Sequence, residues 1–291
     1  MTGKKLSNVE VSRILANPDL VTELEPDRIK ILVDSTVESL VGTPIIVNVN
    51  SSQPIFVVGD LHGNFDSLHK IFNTFQSQGA ESCVFLGDYV DRGDMSVEVL
   101  NFLLVVRQRY GPNIVLLRGN HEDPEVNKVY GFATELEVKG FTGLQPSYER
   151  LFQVLPIACV VNSTVLCVHG GIPRGITKIG ELAMIGPSLQ SPAIIQALWN
   201  DPIESPEVPT FMDNPRGPGI FYFGEQAFRN FMRANGFSKM IRAHEWQPEG
   251  FRWFFEGDLL SIFSAENYNG RMNPIGVAII RGSIIEPQAF E

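Results

Sequence analysis

The chain of 291 residues is 44% hydrophobic and 19% charged, a globular composition with enough apolar material for one large domain or two small ones. A net charge of −10 and a pI near 5.1 argue against nucleic acid or an anionic membrane as the main partner. No stretch approaches the ~18 apolar residues of a membrane span.

The start, MTGKKLSNVEVS, has neither the apolar run of a secretory signal nor a Met-Gly myristoylation site. Ser7-Asn8-Val9-Glu10 predicts a capping box, and Pro26 opens a second helix that turns Ile29, Leu32, Val33 and Leu40 inward. A strand is expected over 43–50. The next, from Pro54, ends in Gly59-Asp60-Leu61-His62-Gly63 and is followed by Phe65, Leu68, Ile71, Phe72 and Phe75 at helical spacing up to Gly79. A strand from Ser82 then runs into Gly87-Asp88-Tyr89-Val90-Asp91-Arg92-Gly93. A helix over 95–110 closes at Gly111-Pro112, and an apolar strand from Asn113 runs into Arg118-Gly119-Asn120-His121-Glu122-Asp123. Asp60 to Asp88 spans 28 positions and Asp88 to Asn120 spans 32, each the length of one strand–helix–strand unit. The pattern is βαβαβ with parallel strands, and ligand-binding groups gather outside the carboxyl ends of such strands.

Further along, Cys159 and Cys167 stand symmetrically about Ser163 and face each other across an expected hairpin. With Cys83 they read as small buried hydrophobes in a reducing compartment, so a functional disulfide is not expected and the Asn162-Ser163-Thr164 sequon is idle. Strands at 164–171 and 239–245 end at His169-Gly170-Gly171 and Arg242-Ala243-His244-Glu245. Those after Leu259 and Ile275 read as antiparallel or hairpin-like. With no repeat or linker, residues 1–291 are expected to form one catalytic domain, a helical segment 1–42 packed on a core 43–291. The expected location is intracellular, cytoplasmic or nuclear.

Five strand ends thus deliver oxygen or nitrogen ligands: Asp60, His62, Asp88, Asn120, His169 and His244. Mixed carboxylate, imidazole and amide donors suit manganese, iron or zinc. Six are too many for one catalytic ion with open positions, but they suit two ions that share a carboxylate and a bridging water, acidified into a nucleophile. Of five histidines, His69 lies within a helix and reads as structural. Glu122 and Glu245, each following a histidine, either orient a ligand ring or cap the next helix. Arg92 and Arg216 sit in Gly/Pro loops. A planar guanidinium there binds phosphate bidentately, though Arg216 alone also reads as a solvated loop residue. His121, with Asp91 to hold it protonated, is a candidate general acid. No Cys-based phosphatase loop or Gly-rich P-loop is present.

Taken in order, GDLHG (59–63), GDYVDRG (87–93), LRGNHE (117–122), YGF (130–132), HGG (169–171), LWNDP (198–202), RAHE (242–245) and SAENY (264–268) resemble the phosphoprotein phosphatases, protein serine/threonine phosphatases of types 1, 2A and calcineurin. The resemblance implies an α/β protein, a central β-sandwich flanked by helices with the calcineurin-like metallophosphoesterase fold and a βαβαβ metal-binding core. It implies hydrolysis of phosphoserine and phosphothreonine monoesters by a metal-bridging hydroxide. Asp60, His62 and Asp88 would hold one divalent ion, and Asp88 would bridge to a second held by Asn120, His169 and His244. Manganese would serve in vitro, iron or zinc in the cell. Arg92, Arg216, Asn120 and Tyr268 would bind phosphate, His121 with Asp91 would protonate the leaving oxygen, and Asp201 would sit near the site. Phosphoproteins would be substrates, with regulatory or targeting subunits as partners, and neither nucleic acid nor membrane.

Four departures stand out. Glu266 and Asn269 replace the family's proline and cysteine beside its toxin-binding site, which implies no covalent adduct with a cysteine-reactive toxin and weaker binding of anionic inhibitors through charge repulsion. Asn200 replaces serine, and Asp94 is an unusual acid; both are candidates for altered substrate preference. The chain lacks a calmodulin-binding helix and a Tyr-Phe-Leu tail, so a bare catalytic core is expected. The alternatives are a related phosphoesterase acting on dinucleoside polyphosphates or phosphodiesters, and a catalytically silent scaffold. The scaffold would require a lost ligand, and none is lost.

Overall fold

In a computed structural model, which describes residues 5–291, the alternation of strands and helices resolves into two sheets with one shared apolar seam. Residues 1–4, on which part of the signal and myristoylation reading fell, lie outside the described residues. The chain opens with α1 (Asn8–Ala16), α2 (Pro26–Leu40), β1 (Ile46–Val49), β2 (Ile55–Val58), α3 (Phe65–Ser77), β3 (Ser82–Phe85), α4 (Ser96–Tyr110) and β4 (Ile114–Leu116). It continues through α5 (Pro124–Tyr130), α6 (Phe132–Val138), α7 (Gln145–Val154), β5 (Ala158–Val161), β6 (Val165–Val168), α8 (Gly180–Ile185) and α9 (Pro192–Trp199). The remainder is β7 (Asp201–Pro202), β8 (Phe211–Asp213), β9 (Phe221–Phe223), α10 (Glu225–Asn235), β10 (Lys239–Arg242), β11 (Phe251–Phe254), β12 (Leu259–Ile262), β13 (Ile275–Arg281) and β14 (Ile284–Phe290). Among the described residues no helix is long and apolar enough to cross a membrane.

One sheet has the order β14-β13-β2-β3-β4, the other β1-β5-β6-β10-β12-β11. Because side chains alternate along a strand, each sheet offers two apolar faces. Val57, Val84 and Val115 of the first sheet and Cys167, Ile241 and Leu260 of the second share the seam between them. The alternate set Phe56, Phe85 and Leu116 packs under α1–α4, α6 and α7, and Leu166, Met240 and Leu259 pack under α8–α10. Both faces of both sheets are therefore covered, which is why these strands read as continuous apolar runs. The N-terminal helices belong to the same core as α4: Val11, Ile14, Ile29 and Leu32 are buried with Phe102 and Leu103.

The βαβαβ expectation holds, β2, β3 and β4 being parallel neighbours. β13 joins them antiparallel and forms a hairpin with β14. β12 departs from the antiparallel reading on one side: it forms an antiparallel hairpin with the edge strand β11 but lies parallel to β10, because the chain runs back along β11 before β12 returns between the two. The small sheet β7-β9-β8 was not anticipated, its strands being two or three residues long. Cys159 and Cys167 are register partners in the β5–β6 hairpin and remain free thiols in the seam.

The capping box of α1 forms as expected, Ser7 and Glu10 serving each other's backbone. α4 has no cap of its own. Its first amides, Ser96 N and Val97 N, instead donate to the two oxygens of Glu135 on α6, each at 2.9 Å, where the helix dipole favours a carboxylate. Glu135→Ala is expected to cost about 1–2 kcal/mol and lower the thermal midpoint by several degrees in a melt followed by circular dichroism. An unchanged midpoint would contradict this assignment.

Candidate metal centre

The loops leaving β2, β3 and β4 meet those leaving β6 and β10 at one end of the sandwich. Close approach forces unusual backbone there. His62, Asp88, Asp91, Arg92 and His244 all hold positive φ, between 43° and 71°, a region non-glycine residues seldom enter. Hydrogen bonds fix them. Leu61 N and His62 N both donate to Asp88 O (3.0 and 2.9 Å), and His244 N donates to Asp60 Oδ1 (2.9 Å), which ties the two sheets together. Gly119 is required sterically, because a Cβ there would run into Asp88 Oδ1 and the Glu122 carboxylate.

Glu122 takes neither role expected of it. Its carboxylate accepts from Asp88 N (2.8 Å), Tyr89 N (2.9 Å) and Gly119 N (2.8 Å), so it clamps the β3 and β4 loops from beneath. Glu245 likewise orients no imidazole and caps no helix: it accepts from Arg242 Nη1 at 2.8 Å.

Two donor groups converge around Asp88. On one side His62 Nε2 lies 3.6 Å from Asp88 Oδ2 and 3.8 Å from Asp60 Oδ2. On the other, His169 Nε2 faces Asn120 Oδ1 at 2.8 Å, His244 Nδ1 at 3.2 Å and Asp88 Oδ1 at 3.4 Å. His62 Nδ1 sits 3.0 Å from Val90 O and His169 Nδ1 3.0 Å from Leu86 O. With Nδ1 donating to those carbonyls, each Nε2 is left facing oxygen or nitrogen acceptors, and in the neutral ring its lone pair is free to meet a cation there. Asp60 Oδ2 is buried with no hydrogen-bond partner, which asks for the same. The potential agrees. Burial and the Asp88 charge push Asp60 up to about 7, and burial with Asp88 does the same to Glu122. Against the burial that would raise it, the charges of His169 and His121 hold Asp88 well below the usual carboxylate range. The residues present fit a pair of divalent ions.

Of the expected acid–base and anion-binding groups, Arg92, Asn120, His121, Arg216 and Tyr268 line the same cleft, about 500 Å³ in volume, and Asp91 lies buried behind His121. His121 Nδ1 is 2.7 Å from Asp91 Oδ2, a fully buried carboxylate that also accepts from Asn127 Nδ2 (2.9 Å) and Phe132 N (2.8 Å). Although burial would lower it, Asp88 and the bond to Asp91 raise the His121 pKa. The Tyr268 ring stacks on His62 at 5.1 Å, and burial pushes its phenol up to about 12. The Arg92 guanidinium lies 4.0 Å over the Tyr130 ring. Arg216 Nε donates to Asp201 Oδ2 at 2.6 Å, so this arginine is held rather than simply solvated. His69 is outside the cleft, as expected.

Several features escaped the sequence reading. Arg242, fully buried, donates to Gly170 O (2.7 Å) and pairs with Asp201 Oδ1 (2.9 Å). It braces the β6 and β10 loops from behind; the sequence showed only its place in the RAHE element directly after the apolar Met240-Ile241. Trp199, Trp246 and Arg271 also line the cleft. The Glu266 carboxylate pairs with Lys70 on α3 (2.7 and 2.9 Å) and is not among the residues lining the cleft, so part of the charge behind the expected repulsion of anionic inhibitors is offset. Asn200, fully buried, bonds Ile172 O and Phe221 N, a structural role, and Asp94 lies outside the cleft.

The model of the calcineurin-like phosphoesterase family matches residues 53–248. The serine/threonine-protein phosphatase BSL2 of Arabidopsis thaliana is 34% identical over 273 residues, 89% of this chain, which spans 27% of that protein's length. A Schizosaccharomyces pombe protein named as a serine/threonine-protein phosphatase is 37% identical over 224 residues, covering 76% of this chain and 72% of its own. A solved protein serine/threonine phosphatase of Saccharomyces cerevisiae superposes with a TM-score of 0.85 at 27% identity, covering 98% of this chain and 97% of its own. The chain belongs to the calcineurin-like phosphoesterases, hydrolases that use divalent metal ions. Within that family its resemblance is to the phosphoprotein phosphatases of the serine/threonine kind.

Excess manganese is expected to raise the thermal midpoint, since an ion that binds only the folded chain stabilises it by about 2.7 kcal/mol at a hundred times its Kd. Asp88→Ala removes the carboxylate shared by both donor groups and is expected to abolish the shift. An equal shift in the variant would contradict the shared position of Asp88.

Proposed function

We propose that the protein is a protein serine/threonine phosphatase that hydrolyses phosphoserine and phosphothreonine monoesters directly, with no covalent enzyme intermediate. The observation that carries this reading is the meeting, in one cleft, of the two donor groups around Asp88 with the His121–Asp91 pair and the stacked Arg92. Asp60, His62 and Asp88 would hold one ion, and Asp88, Asn120, His169 and His244 the other; when bound, such a pair would supply Lewis acidity and lower the pKa of a water.

The chain's own residues do the rest. Tyr130 and Asp201 hold the Arg92 and Arg216 forks so that their remaining N–H groups face the phosphate oxygens, with the protonated Tyr268 hydroxyl and the Asn120 amide as further donors. Asp91 fixes His121 through Nδ1, which leaves Nε2 to deliver a proton to the departing serine or threonine oxygen. Manganese serves in vitro and iron or zinc in the cell, consistent with the mixed donors. Residues 1–291 act as one catalytic unit with 1–42 packed on 43–291. Its setting is the cytoplasm or nucleus, in keeping with three buried free thiols, and regulatory or targeting subunits select its phosphoprotein substrates.

The test is phosphate release from a phosphothreonine peptide with added manganese. Wild-type activity is expected to vanish with a chelator, and His121→Asn to lower kcat by about 10²–10⁴-fold. No release by wild type with both ions bound would overturn the proposal.

A further inference from the structure

Three arginines line the cleft, anchored in two ways. Arg216 is tied to the Asp201 carboxylate. Arg92 lies over Tyr130, and the exposed Arg271 lies over Trp246, its guanidinium carbon 4.9 Å from the ring centroid. An arginine held on an aromatic face keeps its in-plane N–H donors for a ligand, whereas a carboxylate partner would consume them. Among the described residues neither Arg92 nor Arg271 pairs with a carboxylate or donates a side-chain hydrogen bond.

The shelf under Arg271 is fixed. Trp246 Nε1 donates to Asn273 Oδ1 at 2.9 Å, and the same oxygen accepts from Tyr268 N at 3.1 Å, while Asn273 Nδ2 donates to Ala265 O at 2.8 Å. One buried asparagine therefore sets both Tyr268, over His62, and the Trp246 face that carries Arg271. The rim and the centre are positioned together.

A phosphate monoester brings about two negative charges at neutral pH, and Arg92, Arg216 and the ion site already meet them. Arg271 is surplus to that need. It stands at the mouth of a chain whose net charge of −10 repels acidic peptides. We infer that Arg271, seated on Trp246, is a specificity-determining residue that receives a second anion of the substrate, the carboxylate of a neighbouring Asp or Glu or a second phosphate. This rests on the phosphatase activity proposed above and selects, within phosphopeptides, those with acid beside the phosphorylated residue.

The test compares kcat/KM for phosphothreonine peptides that differ at the two positions on either side, carrying Glu, Gln, Lys or a non-hydrolysable phosphonate, with p-nitrophenyl phosphate as a substrate that has no flanks. Wild type is expected to prefer Glu or phosphonate peptides over Lys peptides by about three- to tenfold, mainly through KM. The larger gain of the two identifies carboxylate or phosphate as the anion. Arg271→Gln should erase the order and Arg271→Glu should reverse it toward Lys, a reversal that a merely structural stack would not produce. The same ranking in wild type and Arg271→Glu would overturn the inference while leaving the activity standing. No hydrolysis of peptides or p-nitrophenyl phosphate would instead overturn the activity itself, and the inference with it.

Discussion

Asp88 is the point on which both sheets depend. Its backbone oxygen accepts from Leu61 and His62, its amide donates to Glu122, its Oδ1 accepts from His121 N at 3.0 Å, and its two carboxylate oxygens face His62 and His169. Four loops from two sheets are thereby gathered around one buried carboxylate. The position is costly. Asp88 has φ of 54°, and the same region holds His62, Asp91, Arg92 and His244. Such residues cost of order 1–3 kcal/mol each and persist only where the surroundings over-determine them. The sandwich does so, with its apolar seam holding the strand ends in place and the Glu122 clamp holding the loops.

Electrostatics follow the same logic. Burying Asp60, Asp88 and Glu122 together leaves more negative charge than the flanking histidines balance, and the raised pKa values of Asp60 and Glu122 report the deficit. Divalent ions are the natural remedy, and the ligand rings are already turned for them by backbone carbonyls at Nδ1. Behind this layer, Arg242 and Asp201 form a buried pair that positions Arg216 on one side and the β6 loop on the other. Removing one partner of such a pair strands the other in low dielectric.

Local chemistry was legible in the sequence and long-range chemistry was not. The ligands could be read because each polar group interrupts an apolar strand, and the βαβαβ core because periodicity and the 28- and 32-residue spacings are local signals. The α1 capping box was equally local. Glu122 was misread because two of its three partners, Asp88 N and Tyr89 N, lie more than thirty positions away, and all three are backbone atoms with no sequence signature. The partner of Glu266 is hidden for a similar reason: Lys70 lies 196 positions off. The small β7-β9-β8 sheet, the Arg242 brace and the Trp246–Arg271 shelf depend on tertiary proximity alone.

The central claim is that two cations complete this centre with Asp88 between them. Diffraction from crystals grown with manganese, recorded where that metal scatters anomalously, tests it directly. The account predicts two anomalous peaks about 3.5–4 Å apart, one against Asp60 and His62, the other against Asn120, His169 and His244, with Asp88 touching both. A single peak, or two peaks of which only one contacts Asp88, would contradict it.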